Sequence, residues 1–253
     1  MTNQLPKISI ITVVYNSEKY IERTILSVVN AKKHYKNIEY LIIDGASKDA
    51  TNKIISKYKN NIDFLISEPD KGLYDAMNKG LTNSTGEYLW FLNSGDKIFE
   101  ETTLKQIFES ENQFQDVYYG ETLMVDENEQ VIGMRRLTSP EKLTWKSFKK
   151  GMRVSHQSII FKKELVDFYD LSYRFSADFD WCIKALKKSE KIKNTKLIFT
   201  AYLDGGLTKH NIKAGLKERF RIMTKHYGFI STLFNHIPLG IRFLQYVFRH
   251  KRF

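Results

Sequence analysis

Apolar runs punctuate the first part of the chain at residues 8–14, 39–43, 62–66 and 87–92, each followed by a polar turn. The run at 8–14 is β-branched and unbroken, which predicts a strand covered on both faces. Between the runs the spacing becomes helical. Ser17 is placed as an N-cap, with Ile21, Ile25, Val28 and Val29 on one face. A second helix carries Ile54, Ile55 and Tyr58 inward, and a third covers residues 73–81. Strands recurring about every 25 residues with helices between them predict a mostly parallel α/β sheet with helices on both faces.

After Asp96 the pattern loosens. Residues 117–120, 122–125 and 131–134 are expected as short strands, then 159–161 and 200–203. Residues 176–187 form a predicted helix that opens with acids and closes with lysines, the order its dipole favours. No repeat or linker interrupts the chain before about Thr208.

Chemistry then narrows the class. The first glycine is Gly45, so neither a GxGxxG turn nor a P-loop follows the first strand. That argues against a dehydrogenase or a P-loop kinase, and against a sugar nucleotidyltransferase using a glycine-rich loop there. The segment 14–17 instead offers the ring of Tyr15 and the amide of Asn16. The strand at 87–92 ends in Asn93-Ser94-Gly95-Asp96, placing a carboxylate at the carboxyl edge of the sheet, where open α/β folds bind ligands. A carboxylate there suits Mn²⁺ or Mg²⁺, hard cations that take oxygen ligands. The single cysteine, Cys182, excludes an internal disulfide and fits a reducing compartment. The short polar N-terminus lacks a signal-peptide core, so a cytoplasmic protein is expected.

Taken in order, residues 8–16, 42–51, 69–80, 87–96, 177–180 and 205–208 resemble family 2 glycosyltransferases, inverting enzymes of the GT-A fold. The resemblance implies a nucleotide-sugar donor, with uridine the commoner base, a divalent cation and a glycan or lipid-linked acceptor. It implies nucleotide contacts from Thr12, Val14, Tyr15, Asp44, Asp70, Lys71, Asn93 and Ser94, with Asp96 on the metal. Asp75 and His156 are expected at donor or acceptor, and Asp178 or Asp180 as the general base. Gly205-Gly206 with Lys209 or His210 would close near the diphosphate. Two departures stand out: one carboxylate at 93–96 where many members have two, and Ala177 where members often have a glutamate. Asp49 is expected as a helix cap rather than a ligand contact.

Charge divides the chain. The +11 net charge includes +9 from residues 209–253, where ten Lys and Arg face one acid. A division into a catalytic domain (1–208) and a helical, basic and aromatic extension (209–253) follows. Within 220–253 Asn235, His236, Pro238, Arg242 and Gln245 break any membrane span, whereas Ile241, Leu244 and Phe248 fall at helical spacing beside Arg242, Arg249, Lys251 and Arg252. That pattern suits peripheral attachment at the inner face of a membrane, or packing on the body or on a second subunit. Without an RNA-binding motif, nucleic acid is not an expected partner. A non-catalytic module that binds an anionic surface is the remaining alternative.

Overall fold

The computed structural model describes residues 4–109, 111, 113–205 and 212–237. A nine-stranded mixed sheet runs through the molecule. Its first half is the parallel block the apolar runs predict: β1 (Ile8–Val14), β2 (Ile38–Asp44), β3 (Phe64–Ser67) and β4 (Tyr88–Phe91). β1 pairs in parallel with both β2 and β4, and β3 flanks β2. Beyond β4 the sheet turns mixed. It continues through β5 (Lys97–Ile98), β6 (Val117–Val125), β7 (Val131–Met134), β8 (Ile159–Lys162) and β9 (Ile192–Leu203) in the spatial order β3-β2-β1-β4-β8-β6-β9-β5, with β7 on β6.

Strand alternation divides the core between the two faces. Ile8, Ile10 and Ile42 face α1 (Ile21–His34), while Ile11, Val13 and Ile43 face α3 (Leu73–Asn83) and α5 (Ala177–Lys188). Two shorter helices, α2 (Thr51–Ser56) and α4 (Thr103–Phe108), complete the layers around the first half. Gly80 lets α3 lie close on β1, because a Cβ there would sit 2.5 Å from Ile11 Cγ2.

Three local expectations are corrected. Residues 117–125 form one strand, since Gly120 accommodates the Leu197 carbonyl 2.3 Å from where its Cβ would be. β9 starts at Ile192, eight residues before the apolar stretch that announces it. α1 starts at Ile21 rather than after Ser17, whose carbonyl instead accepts the amides of Tyr20 and Ile21.

Helix α6 (Ile212–Tyr227), which sequence assigns to the extension, packs into the body. Ile222 and Met223 are buried in the core beside α5. Glu218 accepts the amides of Arg174 and Phe175 at 2.8 Å each, just before α5 begins. Asp180, 1% exposed, meets Lys184 at 2.6 Å, His226 at 2.7 Å and Lys225 at 3.6 Å. The boundary at 208/209 and the expected roles of Gly206, Lys209 and His210 fall outside the described residues, as do Ile241, Leu244, Phe248 and the basic residues around them. Among the described residues no helix is long and apolar enough to cross a membrane.

The Asp180 cluster sets an acid limit on stability. Burial works against its charge, but the His226 and Lys184 contacts outweigh it and hold the carboxyl at about 2. A depressed carboxyl stabilises the fold above its unfolded value and loses that contribution as pH falls through the folded one. Asp180→Asn is therefore expected to cost about 2–4 kcal/mol near neutral pH by urea denaturation. The gap from wild type should narrow in strong acid; a gap that persists there would contradict the electrostatic account.

Candidate active site

The carboxyl ends of β1 and β2 build one wall of the site. Asn16 and Ala46 adopt left-handed backbone conformations, φ 46° and 60°, so both strands turn sharply at the sheet edge. The loops lock together through Asn16 N–H donating to Ser47 Oγ at 2.8 Å and Lys48 N–H donating to Asn16 Oδ1 at 2.9 Å. Asp44 is the hub beneath them. It is fully buried and accepts from Ser47 N–H, from the Ser47 and Ser67 hydroxyls, and from Asn52 Nδ2 at 2.9 Å. These bonds hold the loop in shape around the carboxylate. Asp49 accepts from Thr51 N–H at 3.0 Å just before α2, whose N-cap position is Ala50 without a side-chain cap bond.

Above this hub Tyr15 is 60% exposed. A Cβ on Gly45 would lie 2.3 Å from Asp70 Oδ2 and 3.4 Å from the Tyr15 ring, so the glycine leaves room for both groups. Asp70 Oδ1 accepts Gly72 N–H at 2.8 Å, and Asp75 Oδ2 accepts Lys71 N–H at 2.9 Å. These bonds fix the turn that feeds α3. The Lys71 side chain is exposed on it. The Thr12 and Val14 side chains lie in the core. The Thr12 hydroxyl donates to Leu92 O at 2.8 Å and accepts from Tyr40 at 3.2 Å, while Val14 is buried among the residues facing α1.

The second wall is the turn after β4. Asp96 N–H closes it onto Asn93 O at 3.0 Å, and Gly95 takes φ 99°. Ser94 Oγ meets Ser17 Oγ at 2.7 Å, which ties this turn to the one after β1. Asp96 is 4% exposed, and its Oδ1 accepts Leu203 N–H at 3.0 Å. Burial pushes its carboxyl up to about 7, against the opposing pull of Leu203 N–H, Gln157 and Arg23. Asn93 Oδ1 is buried with no donor among the described residues. A raised carboxyl and an orphaned amide oxygen on one turn fit a hard divalent cation. No group of three or more His, Cys, Asp or Glu surrounds them among the described residues, so ligand oxygens would complete the shell.

His156 joins this turn to α5. The backbone that carries it is pinned next door, where Gln157 O accepts Trp90 Nε1 at 2.7 Å and Thr200 Oγ1 at 2.5 Å. The ring therefore sits between Asn93 Nδ2, 3.5 Å from Nε2, and Asp178 Oδ2, 3.4 Å from Nδ1. Tyr74 of α3 donates to Asp178 Oδ1 at 3.0 Å. Burial works to raise the Asp178 carboxyl, but His156, the charge of Arg219 and the Tyr74 bond together bring it below its ordinary value. Asp178 is thus ionised at neutral pH. Asp180 faces the α6 cations instead, on the other side of α5.

Three groups at this site escape a reading of the sequence. Tyr74 lies inside the 69–80 segment but counts there as an apolar helix position. Arg135 donates to Leu137 O at 3.0 Å and Met152 O at 2.7 Å, and burial lowers its guanidinium to about 10. Arg219 reaches Asp178 electrostatically from α6, and its Nε is buried without a partner among the described residues. Basic residues after β7 and in a basic helix carry no periodic signal that sets them apart.

Residues 9–168, from β1 past β8, match the model of "Glycosyl transferase family 2". An uncharacterized glycosyltransferase of Mycobacterium tuberculosis is 30% identical over 191 residues, 74% of this chain and 71% of that protein. Among solved structures, S. aureus TarS 1-349 in complex with UDP-GlcNAc superposes with a TM-score of 0.63 at 20% identity, covering 86% of this chain and 66% of that one. A Pyrobaculum calidifontis mannosyltransferase in complex with GDP-Man and Mn²⁺ gives 0.62 at 12% identity over 95% and 76% of the two chains. These two likenesses establish the fold as that of GT-A glycosyltransferases. The family match runs through both walls of the site and the histidine between them: the chain belongs to glycosyl transferase family 2.

Proposed function

We propose that this protein is an inverting glycosyltransferase that moves a sugar from a UDP-sugar to an acceptor hydroxyl in cell-surface glycan or polysaccharide synthesis. The observation that carries the reading is the contact of His156 with Asp178 on one side and Asn93 on the other. It brings the general base and the diphosphate turn to either side of one imidazole. Tyr15 and Asp70 offer a stacking face and an acceptor for the nucleoside, the UDP-GlcNAc complex of TarS supporting the choice of donor.

In the reaction, the acceptor oxygen attacks the anomeric carbon from the face opposite the diphosphate. Asp178 removes the hydroxyl proton as the new carbon–oxygen bond forms. The bond to the diphosphate oxygen breaks, UDP departs with the electron pair, and the configuration inverts. Tyr74 and His156 hold the carboxylate in place, and their hydrogen bonds keep it charged before the acceptor arrives. Asp96 and Asn93 Oδ1 would hold Mn²⁺ or Mg²⁺, as the Mn²⁺ complex of the mannosyltransferase supports. A bound cation supplies positive charge where negative charge grows on the leaving group. Arg135 and Arg219 add to that charge. The acceptor of this reading is a glycan or a lipid-linked sugar presented at the cytoplasmic face of a membrane.

Turnover with UDP-sugars and Mn²⁺ is expected to release UDP and give a product of inverted anomeric configuration by NMR. Release of pyrophosphate would point to nucleotidyl transfer instead. Asp178→Asn should lower kcat by about 10²–10⁴ with little change in UDP affinity; a loss smaller than tenfold would remove Asp178 as the base. Asp96→Asn should abolish the Mn²⁺ dependence of UDP binding measured by calorimetry. Retained dependence would move the metal elsewhere.

A further inference from the structure

The described part of the chain ends in a helical segment, 229–237, that follows α6 after Gly228 at φ 82°. One side of it packs. The Phe220 ring of α6 meets Phe229 at 6.0 Å and His236 at 5.0 Å between centroids, and Thr232 is fully buried. The other side does not. Ile230, Leu233, Phe234 and Ile237 stand 49–71% exposed at spacing that forms one stripe along a helix. A contiguous apolar stripe of this size marks an interaction surface rather than scattered exposure.

Charge selects the occupant. Among the described residues of this end, 212–237, five Lys and Arg stand against one acid, so two copies meeting here would bring like charges together. An anionic lipid surface would neutralise them. Next to the stripe, Tyr227 stacks on Trp145 with centroids 5.4 Å apart. Lys146, Lys149 and Lys187 place their ammonium groups 4.8–5.7 Å from those rings. Aromatic rings flanked by lysines are the composition of a headgroup boundary.

We infer that the 229–237 face lies in the surface of an anionic membrane, with the Trp145–Tyr227 pair at its edge. The same helix pair is tied rigidly to the site. α6 holds Asp180 through Lys225 and His226, two residues along α5 from Asp178. Membrane attachment would therefore set the orientation of the cleft to the lipid surface. The inference goes beyond glycosyl transfer and does not depend on it, so either can fail alone.

The test is sedimentation of the full-length protein with phosphatidylcholine vesicles, with and without phosphatidylglycerol, at low and high salt. Binding is expected to rise about tenfold with the anionic lipid and to fall with salt. The double substitution Ile230→Asp with Phe234→Asp, at positions 71% and 68% exposed, should lower binding by about tenfold or more without moving the thermal midpoint. Wild type that stays in the supernatant with anionic vesicles would overturn the inference. So would equal binding by the double variant, or a solution dimer that the same substitutions split while lipid binding is absent.

Discussion

The imidazole of His156 is the contact on which the two halves of this protein depend. On one side stands the parallel block β1–β4, whose carboxyl edge ends in the Asn93–Asp96 turn. On the other stand the mixed strands and α5, which carries Asp178. Neither half contains a complete site. The ring reaches both because Gln157 O is held by Trp90 of β4 and Thr200 of β9, strands from the two halves of the sheet. A backbone carbonyl with two donors of opposite origin positions a side chain more firmly than a loop could.

Three aspartates show how surroundings assign work to one kind of side chain. Asp96 is buried with few donors, and its carboxyl rises to about 7, so a cation has a vacancy of charge to answer. Asp178 keeps one imidazole and one phenol as partners and stays ionised, helped by the charge of Arg219. Asp180 is held at about 2 by two lysines and the His226 ring, which makes it a staple between α5 and α6. Their sequence contexts do not distinguish the last two, which are separated by one residue. A turn of 200° along the helix does, since it aims them at opposite faces.

Much of the architecture was legible in the chain because continuous β-branched runs have few other uses. β1 and β2 match their apolar runs, and the polar turns after them are where the site forms. Legibility failed where the partner is distant in sequence. Tyr74 and Asp178 bond across 104 residues, and Arg219 joins them from a helix whose basic composition suggested a separate extension. Asp44 looked like a ligand contact because it ends a strand. What its position does not announce is that the hydroxyls of Ser47 and Ser67, both downstream, bond to it and shape the loop. The Thr12 and Val14 side chains, on the strand before the edge, are buried, whereas Tyr15, past the end of β1, reaches solvent.

If His156 acts by holding Asp178 in place, the two residues are one catalytic unit and their substitutions cannot add. A double-mutant cycle on kcat, using His156→Ala, Asp178→Asn and the pair, tests this directly. The double variant should be no slower than Asp178→Asn alone. Losses that multiply would mean that the two residues act independently and that the bridge across the cleft has no catalytic meaning.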